Sequence, residues 1–389
     1  MNNIPSRGFD ISEYENRLDN IQRLMRSQKM DAILLTTQVD IEYYTGFKTQ
    51  FFQSPTRPWY VVIPSDNKPK AIIPTIGESG MSQTWLDDIQ TWTSPNPTDD
   101  GISLLLATIK SLTSKYKCLG VPKSQESALR MPLDDYEGLI NSLSGIEIKD
   151  ANKILRQVRL VKSSAEIDKI RHICQLTSQG FIDLIDLLKA GDSERENCQR
   201  FKQCLLALGV DDSPYIVAGS GKDGYGSIIM GPGDKIIEEG DLFIIDTGSV
   251  FDSYFCDFDR NFAFDHICDE ARKAYEVVFK ATDAGFRASQ AGNTTSDVFH
   301  AMNDVMQKGG ALGNSVGRLG HGLGLQLTEW PSNTATDNTI LKPGVILTLE
   351  PGMAYLPGKE MVHEENIVIT ESGPEWLSKR APEELPIIK

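Results

Sequence analysis

Apolar side chains recur at helical spacing over residues 14–30, where Leu18, Ile21, Leu24 and Met25 fall on one face. Short apolar runs follow, D-A-I-L-L-T and then residues 59–64 and 71–74, and each reads as a strand. This alternation continues through the first 150 residues and predicts an α/β domain. Near residue 155 the rhythm changes. Ser163 followed three residues later by Glu166 is a capping box, and Ile170, Cys174, Phe181, Leu184 and Leu188 give the helix behind it one apolar face. Two domains are therefore expected, 1–155 and 156–389. In the second, helices over 270–287 and 296–308 interleave with strands over 242–246, 254–264, 345–350 and 364–370, with glycine turns between them.

Charge narrows the partners. The net charge is −15 and no Lys/Arg-rich run occurs, which argues against nucleic acid, because phosphate binding needs a concentrated basic surface. No run of eighteen apolar residues offers a membrane span, and M-N-N-I-P-S-R-G-F-D lacks the apolar centre of a leader, so a cytoplasmic location is expected. Cys118, Cys174, Cys198, Cys204, Cys256 and Cys268 are scattered without a C-x-x-C pair, as reduced thiols would be.

The chemistry lies in carboxylates at strand ends. One strand ends L-F-I-I-D at Asp246, and a second, Y-F-C-D-F-D-R-N-F, carries Asp257 and Asp259. A hairpin folded about residues 251 and 252 sets Asp246 directly opposite Asp257, with Asp259 on the same face. Like charges opposed in this way destabilise a ladder unless a cation lies between them. Glu350 closes another apolar strand, Glu364 opens a third, and the glycine-flanked His321 adds one nitrogen. Any one of these acids alone would be an ordinary solvated strand end. Together they suit two divalent ions (Mn, Fe, Zn or Co) with a bridging hydroxide.

The order Asp, eleven residues to Asp, then G-H-G-L-G-L, L-E-P-G and E-E-N-I-V-I-T-E-S-G resembles the pita-bread metallopeptidases, which include aminopeptidase P, prolidase, methionine aminopeptidase and metal-free creatinase. The likeness covers residues from about 155 to the end. The N-terminal half is similar to the extra domain of the aminopeptidase P, prolidase and creatinase branch. The fold implied is an α/β N-terminal domain plus an α+β pita-bread C-terminal catalytic domain. The resemblance implies Asp246, Asp257, His321, Glu350 and Glu364 as metal ligands, with Asp257 and Glu364 bridging and Glu350 also moving protons. It implies a metal-dependent hydrolase acting on a C–N bond of a small substrate.

Two histidines usual in the peptide-cleaving members are missing. V-A-G-S-G-K-D-G-Y-G-S-I-I-M-G-P-G-D-K contains none, and the other position is Thr328. Their loss removes side chains suited to proton exchange near neutrality and points away from ordinary Xaa-Pro peptides. T-E-W-P also resembles the D-E-W-P of dimethylsulfoniopropionate lyase, an alternative that would need a base among Asp259, Glu329 and Tyr225. A non-catalytic binding module is the third reading, and retention of all five ligand positions speaks against it. Thr328 offers a hydroxyl in place of the imidazole, and Glu329 and Trp330 next to it are expected to shape the pocket. His363, before Glu364, points off the ligand face as a structural residue or proton relay. His172, His266 and His300 read as structural. Arg57 and Trp59, in F-F-Q-S-P-T-R-P-W-Y, are expected to bind a small carboxylate or cationic substrate within a homodimer.

Overall fold

The computed structural model describes residues 4–314 and 317–389. It divides into two compact units, residues 6–159 and residues 160–389, the second also taking in Ile4 and Pro5.

The first unit is built on a six-stranded sheet of β1 (Ala32–Leu35), β2 (Tyr60–Pro64), β3 (Lys70–Pro74), β4 (Asp88–Trp92), β5 (Cys118–Val121) and β6 (Glu147–Asp150). Its order is β4-β3-β2-β1-β5-β6. β1 runs antiparallel to β2 and parallel to β5. Every residue of β1 and β2 is buried, so neither carries polar alternation, as strands covered on both faces require. The helix Ile11–Ser27 buries Leu18, Ile21 and Met25 through its apolar stripe.

The second unit has two larger sheets. The first contains β7 (Asp212–Lys222), β8 (Asp241–Phe251), β9 (Tyr254–Phe255), β10 (Phe258–Phe264) and, at its edge, β18 (Ile387–Ile388). Its order is β18-β10-β8-β7, with β9 paired to β8. The other contains β11 (His321–Gly322), β12 (Glu329–Ser332), β13 (Ile346–Leu349), β16 (Glu365–Thr370) and β17 (Gly373–Trp376), in the order β12-β11-β13-β16-β17. A separate hairpin joins β14 (Gly352–Leu356) to β15 (Lys359–Val362). The helices Asp269–Ala288 and Thr295–Lys308 share one apolar core with both sheets, including Ile244, Val278, Met302, Leu347 and Ile367. The helix Ser164–Leu184 opens with the capping box of Ser163 and Glu166. Among the described residues no helix is long and apolar enough to cross a membrane.

One register matters for the site. β8 meets β9 through Phe251↔Tyr254, and β10 continues that pairing with Phe258↔Thr247 and Asp259↔Asp246. The hairpin therefore turns on Asp252 and Ser253, whose φ values of 49° and 71° mark a two-residue turn of the primed kind that matches strand twist. This corrects the expected fold about residues 251 and 252: Asp259, not Asp257, lies directly opposite Asp246. The displacement is two residues, so Asp259 meets Asp246 on the same face of the sheet.

Candidate metal centre

His321 starts β11 within G-H-G, and the glycines are there for space. A Cβ at Gly320, whose φ is +116°, would lie 2.2 Å from the Thr348 carbonyl oxygen, and one at Gly322 would lie 2.7 Å from that of Trp330. Stripped of side chains, the backbone closes onto its neighbours, and the His321 N–H donates to Thr348 Oγ1 at 3.1 Å. The imidazole Nδ1 lies 2.9 Å from the Gly322 carbonyl oxygen, which can only accept, so Nδ1 carries the proton. Nε2 is left as a lone pair and faces Asp257 Oδ2 at 3.5 Å.

Asp257 lies between β9 and β10, outside the ladder, and Asn366 of β16 holds its backbone. Asn366 Oδ1 accepts from the Asp257 N–H at 2.9 Å while Asn366 Nδ2 donates to the Asp257 carbonyl. Glu364, one residue before β16, completes a buried group with Asp257 and His321 whose ligand atoms all lie within 4.8 Å of one another. Asp246 in β8 and Glu350 after β13 add charge to the same place, and the Glu350 N–H is fixed on the Leu319 carbonyl at 3.1 Å.

The electrostatics follow from burial. Desolvation, then the charge of Glu350, pushes Asp246 up to about 8, and desolvation pushes Glu350 up to about 7 against the opposing pull of Arg318. Asp257 and Glu364 are also driven well above the ordinary carboxylate range, by burial and by each other's neighbours. Burial and the Arg318 charge lower His321 to about 4, which keeps the ring neutral and fit to ligate. Oδ1 of Asp246, Oδ1 of Asp257 and Oε1 of Glu364 are buried without a hydrogen-bond partner among the described residues. Facing lone pairs and orphaned carboxylate oxygens are what a divalent cation satisfies, and the donor set fits one.

Other residues singled out in the sequence sit elsewhere. Glu329 is buried and forms an ion pair with Lys162, Oε2 to Nζ 3.0 Å, so it is a structural anchor and not a free base. Tyr225 is 1% exposed, donates to Asn261 Oδ1 at 3.0 Å and accepts the Val362 N–H at 2.9 Å, which leaves no surface for substrate. His363 is buried between Thr282 Oγ1 at 2.9 Å and an Arg380 nitrogen at 3.3 Å, likewise closed to substrate. Trp330 is half-buried against the apolar core. Thr328 is exposed, its Oγ1 3.5 Å from Arg318 Nη2. In the first unit, Trp59 is 1% exposed and packed against Phe47 and Phe52. Its expected role as a face for substrate cations is corrected to that of a core residue. Arg57 lies over the Phe51 ring with its centre 5.8 Å from the centroid.

Two residues escaped the sequence reading. Tyr215 in β7 pairs with Gly248, two residues beyond Asp246, so its ring rises on the face of the acids. Its phenol is held protonated by burial and by the charges of Asp246, Asp257, Glu364 and Glu350. Arg318, three residues before His321, is the nearby cation that acts on Asp257, Glu350 and His321. An arginine close to His321 in sequence could have been noticed, whereas Tyr215 had no local mark.

Buried acids and one imidazole, gathered at the ends of strands from two sheets of the second unit, form a site of the kind that metal-dependent hydrolases use. The chain belongs to metallopeptidase family M24, whose profile matches residues 168–371, and residues 17–161 match the Creatinase/Prolidase N-terminal domain. An uncharacterized peptidase of Staphylococcus aureus is 26% identical over 356 residues, 91% of this chain and 96% of that one. The fold is similar to that of the dipeptidase PepE from Mycobacterium ulcerans, with a TM-score of 0.85 and 24% identity over 98% of this chain and 100% of that one. It is also similar to a prolidase from Thermococcus sibiricus, with a TM-score of 0.87 and 22% identity over the same shares.

Proposed function

We propose that the protein hydrolyses a C–N, amide-type bond of a small substrate at a site holding two divalent ions. Asp246, Asp257, His321, Glu350 and Glu364 would hold them. The observation that carries this reading is the unprotonated His321 Nε2 facing Asp257 Oδ2 at 3.5 Å inside a buried acidic group. When bound, such ions supply Lewis-acid polarisation of a carbonyl and a water made nucleophilic at neutral pH.

The chain's own residues set the rest. Glu350 would take a proton from the attacking water and return it to the leaving nitrogen. Tyr215, protonated and beside the acids, offers a hydrogen bond to the substrate carbonyl. Arg318, steadied by Thr328, offers a guanidinium for a substrate carboxylate where peptide-cleaving relatives have a histidine. That exchange favours a small acid-bearing amide over a Xaa-Pro peptide. A reducing, cytoplasmic compartment fits the six free cysteines.

The test is turnover by Mn-loaded protein of Xaa-Pro dipeptides, N-acyl amino acids and dimethylsulfoniopropionate. Faster hydrolysis of the acyl amides is expected, with Arg318→Met raising KM about tenfold, the loss of one charged contact worth about 1.4 kcal/mol. Release of dimethyl sulfide, or no amide cleavage by metal-loaded protein, would overturn the proposal. The lyase reading lacks a base at Glu329, which is bound to Lys162.

A further inference from the structure

The register of the β8–β10 hairpin puts a fifth acid in the centre. Asp259 is directly opposite Asp246, a pairing that sets the two Cβ atoms about 4.5–5.5 Å apart on the same face. It is 2% exposed, and neither carboxylate oxygen makes a full hydrogen bond among the described residues, the Glu364 N–H being the one donor turned toward it.

The surrounding side-chain donors are committed elsewhere. Arg260 donates to Glu365 Oε2 at 3.1 Å and to the Glu364 carbonyl at 3.2 Å, and also to the carbonyls of Asp259 and Lys379. Its guanidinium is thus spent on backbone oxygens and on Glu365, not on the Asp259 carboxylate. The Tyr225 hydroxyl donates to Asn261 Oδ1 at 3.0 Å, and that of Tyr275 to the Pro382 carbonyl at 2.7 Å. A buried carboxylate with two orphaned oxygens is costly unless something positive meets it. Asp246 opposite has its own orphaned Oδ1, so the empty valences of the two acids face one region.

We infer that Asp259 is a further metal ligand, adding with Asp246 to the oxygen shell of one ion, so that five carboxylates and one imidazole serve the centre. This rests on the reading that the acidic group holds divalent ions. An added hard oxygen donor shifts preference toward Mn, and away from zinc, which favours fewer ligands and softer ones.

The experiment is calorimetric and EPR titration of the metal-free protein with Mn²⁺, with circular dichroism to check folding. For Asp259→Asn and Asp259→Ser, affinity for one Mn²⁺ should fall at least about tenfold, with an altered EPR spectrum and a smaller preference for Mn²⁺ over Zn²⁺. Unchanged affinity, spectrum and preference would overturn the role of Asp259 and leave the five-ligand reading standing. Failure of the wild-type protein to bind Mn²⁺ would sink both. Should the variants not fold, a crystal structure of the Mn-loaded wild type decides: an Asp259 oxygen within about 2.6 Å of an ion supports the assignment, and none in that range refutes it.

Discussion

Lys162 and Glu329 show how a residue that looks catalytic can be structural. Glu329 adjoins Thr328, where the histidine is missing, yet its Oε2 lies 3.0 Å from a Lys162 ammonium that is almost fully buried. A lone charge left there has no water to turn to. Lys162→Met should therefore destabilise the protein by about 3–5 kcal/mol, read as a lower urea midpoint. The double variant Lys162→Met/Glu329→Gln should recover much of that loss, since neither charge is then stranded. Equal destabilisation of the single and double variants would show that the pair is not coupled. The partnership was not legible in sequence, because 167 positions separate the two residues and nothing near Glu329 names its partner.

At the scale of the element, the hairpin decides which acids meet. Strand periodicity and an assumed turn put Asp246, Asp257 and Asp259 on one face; the register keeps Asp246 and Asp259 together, while Asp257 stands outside the ladder. Register was another matter, because it depends on where the chain accepts positive φ, and Asp252 and Ser253 both do. Asp252 was legible as a turn residue; Ser253 was not, since serine bears no strong preference for that conformation. Asp252 is further fixed by a buried ion pair with Lys169. Ser253→Gly should stabilise the fold by about 0.5–1 kcal/mol, as it relieves a left-handed non-glycine residue. Ser253→Val should cost about 1–2 kcal/mol, because a β-branched side chain opposes that conformation. Thermal midpoints measured with and without Mn²⁺ would check both, and no rise with glycine would refute the account. The glycines beside His321 were legible as a local pattern, whereas the Thr348 and Trp330 carbonyls that need their space come from other strands.

For the whole molecule, the raised acids govern how stability follows pH. In the metal-free protein Asp246 stands at about 8 and Glu350 at about 7, against 3.8 and 4.5 in the unfolded chain. Between pH 8 and about 6.5 the folded state therefore binds more protons than the unfolded one, and stability falls as pH rises. Below about 6.5 His321 opposes the trend, because its folded value of about 4 lies under the ordinary 6.5 and the unfolded state takes up the proton first. Chelator-treated protein should thus melt higher at pH 6.5 than at pH 8, and Mn-loaded protein should not, since ligation requires the deprotonated acids. Identical profiles with and without metal would contradict this. The two-domain plan and the acids at strand ends were legible from periodicity and from family likeness. Tyr215 was not, because it comes to the acids from a strand that no motif marks.

The proposed ligands also divide between the two sheets of the second unit: Asp246 and Asp257 stand on or beside β8 and β10, while His321, Glu350 and Glu364 stand at the ends of β11, β13 and β16. Ions shared between them would act as rivets through two plates. The plates could not part until the rivets had left, so the working lifetime of the protein would be set by how slowly it gives up its metal.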